Sequence, residues 1–282
     1  MLPRLANEAL ASLRERGLRL GAVAATRGPG MRSCLAIGYN VAQGLALALN
    51  VPFLGINHMH AHLLLPRMQT EAEFPYTSLL VSGGHTILVE SGSLLEHRIV
   101  GETRDIAIGD YIDKLATLFG IHTSGMPGPA LSQWACQVPL GDYGLTIPMA
   151  NDTSLDFSFS GLLSQVTRKL PLADSPASLA HEALRAAFLH LRNRVAQIAP
   201  QKLVVSGGVA SNSMLRSMLH PFSPILPPPH LCVDNAAMVA WAAQEMQMAG
   251  YCTRLGGEVV RKWRLDELLC HEGEEMYETC RK

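Results

Sequence analysis

His58 and His62 stand four residues apart in the run Asn57-His58-Met59-His60-Ala61-His62. On a helix both imidazoles project from one face and can share one metal ion, while His60 points elsewhere. The residue after His58 is Met59, so the zinc-peptidase motif H-E-x-x-H, whose glutamate activates water, is absent. A metal here needs a third protein ligand. The best candidate is Asp234, which follows the short strand candidate Leu231-Cys232-Val233 and precedes a helix start, where a carboxylate would be presented. Two imidazoles and one carboxylate accept iron, zinc or manganese and leave coordination positions open.

The second chemical feature is an echo. Leu79-Leu80-Val81-Ser82-Gly83-Gly84 returns as Leu203-Val204-Val205-Ser206-Gly207-Gly208. Each copy reads as an apolar strand ending in a glycine turn, and such a turn offers backbone N–H groups to a phosphate without side-chain obstruction. The repetition predicts two related lobes whose facing loops clamp a nucleotide. Neither a Walker A loop nor a G-x-G-x-x-G fingerprint occurs, so these glycine pairs are the nucleotide candidates. Asp113, on one helix face with Asp110, could accept from ribose hydroxyls or be an exposed helix carboxylate. Asn212, at the start of a helix, could be a ligand contact or a cap.

The elements that must position these residues follow from the apolar pattern. MLPRLANEALASLRERG reads as an exposed helix, and 20–26 as a strand followed by the turn Gly28-Pro29-Gly30 and a small-residue helix over 31–49. A strand over 51–56 leads into the histidine helix, and 76–82 and 86–90 form a hairpin. Helices are predicted over 105–119, from 156, over 176–198 and over 236–249. The stretch 122–148, rich in Gly, Pro and polar residues, reads as loops. The C-terminal stretch from Arg254 is polar and receives no function.

With 282 residues and 48% hydrophobic content, the chain can bury a large core in one large domain or two lobes. A formal net charge of −1 excludes a globally basic nucleic-acid binder, so any such contact is local. Arg14, Arg16, Arg19, Arg27 and Arg32 form the densest basic group and are the candidate patch for such a contact, or a solvated helix face. The six cysteines lack framework spacing, which suits a reducing compartment, and no apolar run approaches the ~20 residues of a membrane span.

Seven blocks in order carry a resemblance to a known family. They are Gly28-Pro29-Gly30; Gly55 to His58 with Ala61-His62; Leu80 to Thr86; Gly109-Asp110-Tyr111-Ile112-Asp113-Lys114; Asp156 to Leu162; Gly207 to Asn212; and Cys232 to Met238. On these the chain resembles the tRNA threonylcarbamoyltransferase (TsaD-like) family, and among them the fungal mitochondrial branch, from the N-terminal helix to about residue 264. The resemblance implies an α/β, two-lobed fold of the actin/hexokinase/chaperone-ATPase (ASKHA) type, divided as an N-terminal lobe over 1–110 and a C-terminal lobe over 111–282. It also implies that the N-terminal strands of the first lobe are missing, as in a truncated or alternatively started product of impaired activity.

Carried over by residue, the resemblance implies that His58, His62 and Asp234 hold one divalent metal, iron or zinc. Leu80, Val81, Ser82, Gly83 and Gly84 would approach an acyl-adenylate, with Asp113, Gly128 and Asn212 contacting its nucleoside. Gly128 stands in Gly125-Met126-Pro127-Gly128-Pro129, where the family has Gly-Gly-Pro. The implied reaction moves a threonylcarbamoyl group from threonylcarbamoyl-AMP to the N6 amine of the adenosine beside the anticodon, in tRNAs reading ANN codons. No residue stands out as general base, with His85 and Asp110 the candidates. The implied partners are tRNA, a threonylcarbamoyl-AMP synthase and a second copy in a homodimer, with no membrane. The implied compartment is mitochondrial, the alternative cytoplasmic. Rival readings are a non-catalytic subunit pairing with a full-length copy, and an ATPase or kinase of the same fold.

Overall fold

The computed structural model describes residues 1–69 and 72–280, so residues 281 and 282 of the expected C-terminal lobe lie outside the described residues. The chain forms two compact units that interleave in sequence. The first takes Met1–Met68, Leu94–Glu96 and Asn235–Lys282, and the second takes Gln69–Ser93 and His97–Asp234. This differs from a single cut after residue 110, because the last part of the chain packs back onto the first elements.

The chain begins in the first unit with α1 (Leu2–Glu15), which has a proline in its first turn and buries none of its residues. Then come β1 (Val23–Gly28), α2 (Arg32–Leu49), β2 (Phe53–Asn57) and α3 (His58–Leu64). β1 and β2 pair in parallel from Val23 opposite Phe53 to Gly28 opposite Asn57, with α2 as the crossover. Tyr39, Ala42 and Ala46 recur at helical spacing on α2 and pack with Phe53, Val23 and Ala25. The left-handed Asn50 (φ 52°) ends α2.

The second unit holds β3 (Tyr76–Val81), β4 (Thr86–Ser91), β5 (His97–Glu102), α4 (Ile108–Leu118), α5 (Pro127–Ala135), α6 (Ser160–Lys169), α7 (Pro176–Ile198), β6 (Leu203–Ser206), α8 (Ser213–Leu219) and α9 (Pro229–Cys232). Its sheet runs β5-β4-β3-β6, antiparallel except for the parallel pair β3–β6. Leu79, Val81, Leu203 and Val205 face a core shared with Tyr111, Leu115, Phe159 and the inner face of α7, including Leu184, Phe188 and Leu191. The chain then returns to the first unit in α10 (Ala236–Met248), which packs on α3, β1 and β2. Short pairs β7 (Tyr251–Cys252) with β10 (Glu278–Thr279), and β8 (Cys270–His271) with β9 (Glu274–Glu275), complete it.

Three sequence expectations are corrected, and one strand was not anticipated. The echoed strands are not one per lobe: β3 and β6 are neighbours in one sheet, with Leu80 opposite Ser206. Parallel neighbours end at the same sheet edge, so the two glycine turns arise side by side. The region 122–148 is not all loop, since Pro127 and Pro129 begin α5, where an amide hydrogen is not needed. Leu231-Cys232-Val233 is no strand: Pro229–Cys232 is one helical turn, and only Val233 is extended. β5 carries a strand that periodicity did not identify, because its burial is uneven.

Candidate functional site

Asn57 sets the histidine helix. Its side-chain Oδ1 accepts from the amides of Met59 (2.9 Å) and His60 (3.2 Å), and its Nδ2 donates to the Trp263 carbonyl at 3.1 Å. The cap fixes where α3 begins, so His58 and His62 fall one turn apart with ring centroids 4.8 Å apart and planes at 80°. His60 turns into the interior and meets the Leu94 carbonyl through Nε2 at 2.9 Å. α10 is anchored against this segment by a twofold hydrogen-bonded ion pair, Arg67 Nε to both carboxylate oxygens of Glu245 at 2.9 and 3.0 Å. Asn235 caps α10 by accepting from the Met238 amide, and Asp234 directly precedes that cap. Ligand-capable atoms of His58, His62 and Asp234 all lie within 4.8 Å of one another. Two imidazoles and a carboxylate at this spacing suit one divalent cation.

The second unit contains a cleft of about 570 Å³. Of the candidate substrate residues, Gly83, Asp113, Gly128 and Asn212 line it, beside Gly208 of the second glycine turn. Leu80, Val81, Ser82 and Gly84 do not: Leu80 and Val81 are fully buried in β3 and serve to carry the turn. Ser82 closes that turn, its amide donating to the His85 carbonyl (2.8 Å) and its hydroxyl accepting from the His85 amide (3.0 Å). Glycine is required by the protein itself at Gly109, where a Cβ would stand 2.6 Å from the Ser82 oxygen, and at Gly207 (φ 92°), where it would stand 2.3 Å from the Val81 oxygen. At Gly83, Gly84 and Gly208 a Cβ would meet nothing within 4 Å, and none has positive φ. These three leave open a space that no side chain of this chain uses.

Asn212 is both cap and link. Its Oδ1 accepts from the amides of Met214 and Leu215, and its Nδ2 donates to Ser132 Oγ at 2.9 Å, tying α8 to α5. A Cβ on Gly128 would lie 3.7 Å from Asp113 Oδ1, so these residues share one corner. Burial, then the neighbouring Asp110, raises the Asp113 pKa, with Lys114 opposing. Asp110 is paired with Lys114 on the next turn. Neither Asp110 nor His85 is among the residues lining the cleft. Ser132 and Gln133 also line the cleft and were not anticipated. The paired prolines opening α5 are the signal that would have placed them on a helix.

The basic group is smaller than the sequence suggested. Arg14, Arg16, Arg19 and Arg32 are exposed, but Arg27 is 6% exposed and Arg32 pairs with Glu258.

The tRNA N6-adenosine threonylcarbamoyltransferase family pattern (TsaD) matches residues 1–241. The chain is 40% identical to a mitochondrial tRNA N6-adenosine threonylcarbamoyltransferase of Schizosaccharomyces pombe, the match covering 89% of this chain and 68% of the relative. It is 38% identical to the Bordetella avium enzyme of that name, covering 94% and 83%. Among solved structures it is similar to HypF of T. kodakarensis (TM-score 0.64, 15% identity, 85% of this chain and 43% of that one). It is also similar to the activator of a 2-hydroxyisocaproyl-CoA dehydratase from Clostridium difficile, solved with bound ADPNP (TM-score 0.50, 17% identity, 79% and 85%). These likenesses give the fold, an actin/hexokinase-type α/β architecture.

Proposed function

The chain belongs to the tRNA N6-adenosine threonylcarbamoyltransferase family, an acyltransferase family that forms threonylcarbamoyladenosine beside the anticodon of tRNA, and on that premise we propose that its second unit binds threonylcarbamoyl-AMP in the cleft lined by Gly83, Asp113, Gly128 and Asn212. The observation that carries the proposal is that Gly83 and Gly208, which line the cleft, lack side chains where the protein itself needs no such absence. Bare amides there suit the phosphate of an adenylate.

In this reading Asp113 accepts from the ribose hydroxyls, and the second hydrogen of Asn212 Nδ2 reaches the nucleoside from α8. The mixed anhydride is already activated, so positioning the acceptor amine against its carbonyl accounts for most of the task. Amides of the two glycine turns offset charge on the departing AMP. His58, His62 and Asp234 hold one divalent cation, iron or zinc, which when bound supplies Lewis acidity and a template for substrate oxygens. No side chain is assigned as general base.

The proposal extends to a separate synthase that supplies the adenylate, to a mitochondrial location in keeping with the named S. pombe relative, and to a homodimer. Exposed Ile37, Val41 and Leu47 of α2 are apolar residues available to a second copy. Arg14, Arg16 and Arg19 remain as the local basic group for tRNA. The decisive experiment supplies the chain together with a synthase to cells lacking the modified nucleoside and analyses their tRNA. Threonylcarbamoyladenosine should return with the natural sequence and not with Asp113→Ala or Gly83→Val; recovery with both variants would sink the cleft assignment.

A further inference from the structure

β1 and β2 run parallel with Gly28 opposite Asn57, so both end at one edge of their sheet, and α3 with His58 begins there. The segment 260–263 is fastened across that edge by three hydrogen bonds. The Val260 amide donates to the Arg27 carbonyl (2.8 Å), the Gly30 amide donates to the Arg261 carbonyl (3.1 Å), and Asn57 Nδ2 donates to the Trp263 carbonyl (3.1 Å). The approach is close enough to demand glycine at position 28, where a Cβ would stand 2.1 Å from the Val260 oxygen. Trp263 is buried and anchors the segment, whereas Arg261 and Lys262 before it are exposed. Neither cation has a side-chain hydrogen bond or an ion pair among the described residues. The carboxylates nearest in sequence are engaged elsewhere: Glu258 pairs with Arg32, Asp266 pairs with Arg264, and Glu267 meets His271.

We infer that Arg261 and Lys262 form the surface that holds tRNA backbone phosphates next to the reacting adenosine, an inference that rests on the family's tRNA substrate. A guanidinium and an ammonium both suit phosphate oxygens, and phosphate contacts fix the orientation of a nucleic acid without reading its sequence. A pinned backbone loses less freedom on binding than a mobile loop. Lys262 directly precedes Trp263 and Asn57 directly precedes His58, so one hydrogen bond joins the basic pair to the start of the histidine helix. Arg19 of the N-terminal basic group is placed differently. It lies four residues before Val23, at the amino end of a six-residue strand that spans about 17 Å. That position suits long-range attraction of tRNA; holding the anticodon loop beside His58 falls to the pair at the carboxyl edge.

The test measures binding of tRNA to the full chain by fluorescence anisotropy across a salt series. Replacing both residues, Arg261→Ala with Lys262→Ala, should weaken binding about tenfold and reduce the slope of log affinity against log salt by about 1.4 to 1.8, the loss of two phosphate contacts. The charge-preserving Arg261→Lys with Lys262→Arg should keep the natural slope. In turnover the double alanine variant should raise KM for tRNA, while metal content and adenylate affinity stay at the level of the natural chain. Affinity and slope unchanged in the double alanine variant would overturn this surface and leave the tRNA substrate standing. Absence of tRNA binding by the natural chain would overturn the premise, and the surface with it.

Discussion

The amide of Gly109 donates to the carbonyl of Ser82 at 3.1 Å, and a Cβ on Gly109 would stand 2.6 Å from that same oxygen. The first turn of α4 is thereby pressed against the glycine turn at the end of β3. Replacing Gly109 by alanine should force the two apart, costing about 1–3 kcal/mol of stability as overpacking does. Urea denaturation should show the lowered midpoint, together with weakened adenylate binding.

Gly83→Ala is the contrasting case. A Cβ there meets no protein atom within 4 Å, so unfolding should change by less than about 0.5 kcal/mol, as for an ordinary surface substitution. Adenylate affinity should nevertheless fall at least tenfold. If affinity is retained in this variant, the glycine turn does not meet the ligand.

The Arg67–Glu245 pair joins the segment after α3 to α10, with 23% and 12% of the two side chains exposed. Glu245→Gln or Arg67→Ala should destabilise the first unit by about 1–3 kcal/mol, below the 3–5 kcal/mol seen for fully buried pairs. A double-mutant cycle read by thermal unfolding should show coupling between the two positions. Metal affinity should fall with it, because the pair fixes the helix that follows Asp234.

Metal content should track the three proposed ligands. Substituting alanine for His58, His62 or Asp234 should lower metal bound per chain, read by elemental analysis, and transferase activity at least a hundredfold. Chelation of the natural chain should do the same, reversibly on adding the metal back. Full occupancy in Asp234→Ala would exclude the carboxylate as a ligand.

Stability should fall in acid in two overlapping stages. His190 is held to about 4, below the usual histidine range, by burial and then by Arg194, with Asp105 opposing. The unfolded chain therefore takes up a proton that the folded chain refuses, and stability is lost as pH falls from about 6.5 to about 4, by about 3 kcal/mol. Asp105 follows. Burial would raise its pKa, but hydrogen bonds from Ser158, Ser160 and the Phe159 and Ile106 amides outweigh that and hold it at about 2. Its contribution, about 1 kcal/mol after solvent screening, is present above the carboxylate range and lost as pH falls toward 2. His190→Gln should flatten the upper stage in pH-dependent denaturation and leave the lower one.

Legibility in the sequence varied with how local the determining interactions were. The helix over 176–198, the strand before each Gly-Gly, and the Asn212 helix start follow from apolar period and cap chemistry, and each lies within a few residues of the expected bounds. α5 was missed because glycine and proline were counted as breakers, although prolines in a first turn are compatible with a helix. The brief strand expected before Asp234 failed because three apolar residues cannot distinguish a strand from one helical turn.

Residue type and spacing alone determined that His58 and His62 share a helix face, that two bare glycine turns exist, and that family-specific blocks run along the chain. Only the tertiary structure decided that both glycine turns lie side by side on one sheet, that Asp234 comes within reach of the two imidazoles, and that Arg27 is interior rather than part of a surface patch. The physical reason is range. Periodicity and caps act over one or two turns of chain, whereas strand pairing and burial join residues more than a hundred positions apart, and nothing in the local pattern specifies which partners meet.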